Sequence, residues 1–200
     1  MTLLDNLRLS DLSSSEVEAL RLYKLASENV DGHSGCFDLN RKLEYGQFPE
    51  EMGALGTSVS SLDSVFTRCP VLTNPQTVYR AIGLRSHYPL TLPGERFRNL
   101  SFWSTAVNQA TAIDFLKADS DQAPGALLRL DLPIGLSAYN METLSSAGGE
   151  ENEILLPRGI LWTVKAWCPF DKSKLLPHVA KKFSTVLEAH LEGSSSWRAR

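Results

Sequence analysis

Residues 148–159 read GGEENEILLPRG. Three carboxylates, Glu150, Glu151 and Glu153, follow two glycines and precede a short apolar run stopped by Pro157. Such a run reads as a strand entering a core. Side chains alternate along a strand, so Glu151 and Glu153 point to one side, and Glu150 and Asn152 to the other. Paired carboxylates invite comparison with glycosidic chemistry. A glycoside hydrolase, however, flanks its bond from opposite sides with carboxyls roughly 5–9.5 Å apart, and residues two apart on one strand share a side. The plain alternative is a solvated loop whose charge is offset by Arg158. A second chemical signal is Arg80, central in the apolar stretch VYRAIG (78–83). A charge there is costly unless paired. Either a phosphate or an acidic neighbour answers that cost, and the spacing does not choose between them.

The elements that must hold these residues read as helices first and strands later. Ser13-Ser14-Ser15-Glu16 offers a capping box for a helix over 17–26. After a break at 31–35, CFDLNRKLEYG predicts a second helix stopped at Gly46. Residues 60–68 predict a third, with Leu62, Val65 and Phe66 on one face and Pro70 at its end. The character then changes. Residues 77–82 are rich in β-branched and aromatic types, and 102–105 form another short strand. A helix is expected over 107–118, with Ala112, Phe115 and Leu116 inward. ALLRLDL (126–132) alternates, placing Leu128, Leu130 and Leu132 on one face. Residues 154–156 and 160–167 complete the strand set, and 178–191 read as a last amphipathic helix through Val179, Phe183 and Val186. This order, without a regular βαβ alternation, predicts an α+β fold. The expectation is one domain over 1–200: a helical portion about 13–70, a β-rich catalytic core about 76–170 and a C-terminal helix about 178–191.

The totals exclude several classes. A net charge of −3 implies no general attraction to nucleic acid or to an anionic membrane. No apolar run approaches the roughly 18 residues that cross a bilayer, and the N-terminus lacks the pattern of a Sec-type signal. Cys36, Cys69 and Cys168 are odd in number and widely spaced, which fits neither a disulfide framework nor a zinc pattern. A reducing compartment follows. His33, His87, His178 and His190 do not cluster in the sequence, so no metal site is expected. Cys168, before Pro169, reads as structural. With no Walker-type loop and no GxGxxG, any nucleotide would lie in a cleft between strands.

VYRAIG (78–83), FWSTA (102–106) and EENEILLPRG (150–159) follow one another in the order of the mono-ADP-ribosyltransferases of the arginine-serine-glutamate class, which the chain resembles from about residue 14 to 168. The opening is also similar, with Tyr23 and then Asn40, Arg41 and Leu43. Within that family, size and the missing Sec signal resemble bacterial effector toxins. The resemblance implies an ADP-ribosyltransferase-like fold with a split mixed and antiparallel β core. It implies NAD as substrate and an arginine-bearing host protein as acceptor, with no metal, nucleic acid or membrane partner, in a monomer. Delivery into a host cell by a non-Sec, type III-like route and action in the host cytoplasm complete the picture.

By the same resemblance the catalytic residues are Glu153, Glu151 and Ser104, and NAD is bound by Arg80, Ala81, Ser104, Thr105 and Phe102. As nicotinamide leaves, the ribose gains oxocarbenium character, which Glu153 stabilises. Glu151 holds and deprotonates the acceptor guanidinium, Ser104 orients Glu153, and Arg80 grips the diphosphate. Thr105 is expected to serve packing and backbone satisfaction as well. Phe97 or Phe102 is a candidate to stack on nicotinamide, and Arg85 for a second phosphate contact. Ala81 and Ala106 depart from the family, which commonly has glycine and serine there. They motivate the alternative of a catalytically impaired module that docks arginine-containing partners without turnover.

Overall fold

The computed structural model describes residues 7–24, 35–83, 92–114, 123–144, 153–175, 177–181 and 183–194. Three helices open it: α1 (Ser14–Lys24), α2 (Gly35–Glu44) and α3 (Ala54–Arg68). The capping box at Ser13 forms. The Glu16 amide donates to Ser13 Oγ at 3.3 Å, and the Ser13 amide donates to Glu16 Oε2 at 2.7 Å, which satisfies amide donors that a helix start otherwise orphans. Glu16 also reaches α3: Ser64 Oγ donates to its Oε1 at 2.8 Å, and the Arg68 guanidinium pairs with Oε2. Burial pushes this carboxyl up, but the bonds from the Ser13 amide, Arg68 and Ser64 outweigh burial and hold its pKa at about 2.

Helix-spaced apolar residues make the first core. Leu20 and Tyr23 of α1, Leu39 and Leu43 of α2, and Val59, Leu62 and Phe66 of α3 are buried together with Phe102, Tyr139 and Leu155 from the β half. The third helix starts at Ala54, not at residue 60. Leu55 and Val59 extend the stripe of Leu62 and Phe66 backwards, and the opening turn packs on a 3-10 turn at Pro49–Glu51. A Cβ at Gly56 would lie 1.8 Å from the Pro49 carbonyl oxygen, so only glycine admits this approach.

The strands are β1 (Gln76–Gly83), β2 (Arg96–Arg98), β3 (Trp103–Ala106), β4 (Ala123–Leu132), β5 (Tyr139–Asn140), β6 (Glu153–Leu156), β7 (Leu161–Pro169) and β8 (Phe183–Gly193). Short helices α4 (Gln109–Asp114) and α5 (Pro177–Ala180) accompany them. They form one mixed sheet in the order β2-β7-β8-β4-β1-β3-β6-β5, in which β4 and β8 run parallel. The α+β class expected from the sequence is the one observed. β1 and β4 pair along all of β1, whereas β1 and β3 share a single register pair, Tyr79 with Ala106. The sheet therefore parts at that junction into a portion ending at β1 and a smaller one beginning at β3. Leu128, Leu130 and Leu132 do share one buried cluster, with Val78, Ile82, Trp103 and Trp162.

The last element corrects the expectation of a helix over 178–191. A single turn, α5, is followed by β8, which lies inside the sheet between β7 and β4. Val179, Phe183 and Val186 do have helical spacing. But past Val186 the strand alternates: Ala189 and Leu191 are buried, whereas Glu188 and His190 are half-buried and Glu192 is exposed. The period-2 pattern of residues 187–193 is thus present in the sequence, and the helical spacing of Val179, Phe183 and Val186 before it obscures it. The two shortest strands, β2 and β5, are too brief to leave a period. Of the helix expected over 107–118, α4 and buried Ala112 are seen, while Phe115 and Leu116 lie outside the described residues.

Candidate active site

The place where the sheet parts gathers the chemically interesting residues. Arg80 is central in β1, Ser104 lies in β3, and Glu153 opens β6. Antiparallel pairing sets Ala106 against Glu153 and Ser104 against Leu155. Ser104 then connects the two charged groups. Its hydroxyl donates to Glu153 Oε1 at 2.6 Å, and its carbonyl accepts from Arg80 Nη1 at 2.7 Å. The Arg80 guanidinium carbon lies 5.9 Å from the centre of the Trp103 ring, within cation–π range. Trp103 is itself stacked on Trp162 at 5.4 Å, so the guanidinium has a rigid floor. Arg80 Nε is buried with no hydrogen-bond partner, and no described carboxylate pairs with this arginine. The acidic-neighbour explanation of its charge therefore finds no support among the described residues.

Helix α1 delivers two further side chains. Lys24 Nζ stands 4.0 Å from Glu153 Oε2 and donates to the Met141 carbonyl at 3.2 Å. The Tyr23 hydroxyl donates to the Phe102 carbonyl at 2.9 Å and accepts from Asn40 Nδ2 at 2.8 Å. Burial pushes the Tyr23 phenol up; the charge of Arg80 opposes this and that of Glu153 adds to it, because both lie close by. Asn40 Oδ1 is a buried acceptor without a partner. Lys24 has no visible signal in the sequence. A lysine in the last turn of a helix reads as a complement to the helix dipole.

The frame around these groups is tightly bonded. Thr105 Oγ1 donates to the Ile154 carbonyl across β3 and β6 at 2.7 Å. Buried Asn99 donates through Nδ2 to the Ser101 and Pro157 carbonyls, both at 2.8 Å, and its Oδ1 accepts from Trp162 Nε1 at 3.2 Å. This holds the entry to β3 against the exit of β6. Arg158 meets Asp63 of α3 through Nε at 3.1 Å and Nη2 at 2.5 Å, which anchors the PRG turn to the helical layer.

Several expected site residues are placed differently. Phe102 is 0% exposed, packed on Phe66 and Tyr23 in the helical core, so its ring is not available to stack on a ligand. Thr105 is 3% exposed and its hydroxyl is already used by the Ile154 carbonyl. Phe102 and Trp103 are both buried, in different clusters. Phe97 lies beside Trp103, ring centres 6.3 Å apart. Ala81 and Ala106 belong together in the cluster that contains Ala112 and Ile113 of α4, the face of β1 opposite the cluster of Val78 and Ile82. Glu151 and Arg85 lie outside the described residues.

Residues 5–181 match the family model described as ADP-ribosyltransferase exoenzyme. The chain belongs to the ADP-ribosyltransferase exoenzyme family. No curated protein sequence matches it. Among solved structures it is similar to the ADP-ribosyltransferase Vis of Vibrio splendidus, with a TM-score of 0.65 and 15% identity over 94% of this chain and 76% of that one. It is similar also to the ADP-ribosyltransferase toxin Plx2a of Paenibacillus larvae (TM-score 0.63, 16% identity, 92% and 88% covered). Exoenzyme S of Pseudomonas aeruginosa gives a TM-score of 0.63 and 18% identity, with 94% and 80% covered. At such identities the likeness speaks for the fold, and the split α+β architecture is that of ADP-ribosyltransferase toxins.

Proposed function

We propose that this protein transfers ADP-ribose from NAD to an arginine side chain of a host protein, releasing nicotinamide. The observation that carries this reading is the double use of Ser104, whose hydroxyl bonds Glu153 at 2.6 Å and whose carbonyl bonds Arg80 at 2.7 Å. One residue thereby fixes the distance between an anion and a cation. NAD needs both: a cation for its diphosphate and an anion for the ribose carbon that turns positive. The buried unpartnered donor Arg80 Nε and acceptor Asn40 Oδ1 are the kind of orphaned groups that a polar ligand satisfies.

In this reading Arg80 grips the diphosphate, Trp103 supports the guanidinium, and Glu153 stabilises the ribose as nicotinamide departs. Glu151 receives the acceptor. A guanidinium does not deprotonate near neutral pH without help, and a carboxylate two residues from Glu153 supplies that help. Vis has been solved with agmatine, a guanidinium-bearing amine, and exoenzyme S with carba-NAD; both ligands are of the chemistry assigned here. The alanines at 81 and 106 fit an active enzyme, since their methyl groups lie in the apolar cluster beside α4. Delivery into a host cell and action in the host cytoplasm belong to the same reading.

The test is incubation with NAD and an arginine-rich acceptor, following free nicotinamide and modified acceptor separately. Glu153→Gln is expected to lower nicotinamide release by on the order of 10²–10³-fold. Glu151→Gln is expected to abolish arginine modification while leaving much of the nicotinamide release. Release at the wild-type rate in Glu153→Gln would overturn the assignment.

A further inference from the structure

A second cluster of reactive side chains lies on the outer part of the sheet. Cys168 of β7 and Glu188 of β8 are direct cross-strand partners. His190 lies two residues beyond Glu188, on the same face of β8. The ligand atoms of Cys168, Glu188 and His190 all fall within 4.8 Å of one another, and none of the three residues is fully buried. His190 Nε2 stands 3.2 Å from Glu188 Oε1, and Cys168 Sγ stands 3.6 Å from the Glu188 carbonyl. The sequence spacing of cysteines and histidines shows no metal pattern; the strand pairing creates this one.

A β-bulge is what makes the cluster possible. Val164 pairs with Leu191, but Ala166 pairs with His190, so the register slips by one at Lys165. Without the slip, Cys168 would continue on the face of Trp162 and Val164, which are in the core. With it, Trp167 takes the core side and Cys168 turns to the face of Glu188 and His190. Bulges commonly re-aim a side chain in this way. The charges sharing that face are Arg129 and Asp131 of β4, in register with His190 and Glu192, and the ion pair of Lys165 with Glu192. Arg129 Nε lies 3.5 Å from Asp131 Oδ1.

We propose that Cys168, Glu188 and His190 bind a divalent cation of the zinc class. Thiolate, imidazole and carboxylate are the ligand types that zinc takes, and three of them leave a fourth tetrahedral position for water. Thiolate and carboxylate together neutralise the ion, and the thiol proton leaves to solvent on binding. The site clamps β7 to β8. It is separated from Glu153 by β4, β1 and β3 in the sheet order, so it stands apart from the proposed transfer chemistry and does not depend on it.

The experiment uses the full chain without a histidine tag, reduced and stripped of metal, and titrated with Zn²⁺ against a chromogenic chelator and with Co²⁺ as an optical probe. One Zn²⁺ per chain is expected, with one proton released, and Co²⁺ should give an intense thiolate-to-metal charge-transfer band. Even outer partners of a metal site are worth about 10–100-fold in affinity, so Cys168→Ser should weaken Zn²⁺ binding at least roughly 100-fold and remove the charge-transfer band. Glu188→Gln and His190→Gln, both on the sheet face, should weaken binding while circular dichroism stays unchanged; they keep the test decisive if the cysteine variant folds poorly. Cys36 and Cys69 offer little competition, since both are buried and burial pushes the Cys69 thiol up to about 12. Absence of the band in the wild type, or Zn²⁺ affinity unchanged in Glu188→Gln and His190→Gln, would overturn the proposal.

Discussion

At the scale of single residues, Ser104 carries two functions that substitution can separate. Its side chain holds Glu153, while its backbone carbonyl holds Arg80. Ser104→Ala removes only the first. A hydrogen bond to a charged group contributes about 1.5–3 kcal/mol, so turnover is expected to fall roughly 10- to 100-fold with NAD affinity nearly unchanged. Arg80→Ala is expected to show the opposite pattern, a loss of NAD affinity measurable by calorimetry. If Ser104→Ala weakened NAD binding as much as turnover, the orienting role would be wrong. The trio of Arg80, Ser104 and Glu153 was legible in the sequence because each sits in a short, distinctive run. Lys24 was not. Its proximity to Glu153 depends on where the end of α1 lands, which no local pattern encodes.

At the scale of elements, α1 links the helical layer to the site, with Glu16 at one end and Tyr23 and Lys24 at the other. Glu16 makes that link sensitive to acid. Its folded pKa of about 2 lies below the ordinary 4.5. A depressed carboxyl stabilises the fold above its unfolded pKa, and that stabilisation is lost as pH falls from about 4.5 towards about 2. Glu16→Gln is therefore expected to lower thermal stability at neutral pH, by on the order of 1–3 kcal/mol, and to flatten the acid dependence in that window. Thermal melts of the two proteins from neutral pH downward check this; parallel curves would contradict it. The capping box behind this behaviour was readable from Ser13 and Glu16 alone, because capping is local. The reach of Glu16 to Ser64 and Arg68 was not, because it needs α3 folded alongside.

At the scale of the whole molecule, β8 is the decisive element. It lies between β7 and β4, so the sheet does not close without it. Ending the chain at residue 182 is expected to abolish cooperative unfolding, as read by circular dichroism. A peripheral C-terminal helix could be removed at modest cost, and a truncated protein that still melted cooperatively would argue for one. The sheet also explains how one fold accommodates two separate clusters. The parting between β1 and β3 gathers Arg80, Ser104 and Glu153, while the slip at Lys165 gathers Cys168, Glu188 and His190.

Local order was enough to announce the helices α1 to α3, the strands β1, β3, β4, β6 and β7, and the three motifs of the candidate site. Caps, β-branched runs and alternation act over a few neighbouring residues, and they leave their mark in the chain itself. Pairing across long separations settled the rest: that 183–193 is a strand, that Phe102 and Thr105 face inward, that Lys24 approaches Glu153, and that Cys168 meets His190. The choice of strand over helix for 183–193 is made by β4 and β7 on either side of it, and a register shift of one residue exchanges the two faces of a strand. Both are properties of neighbours that lie far apart in sequence.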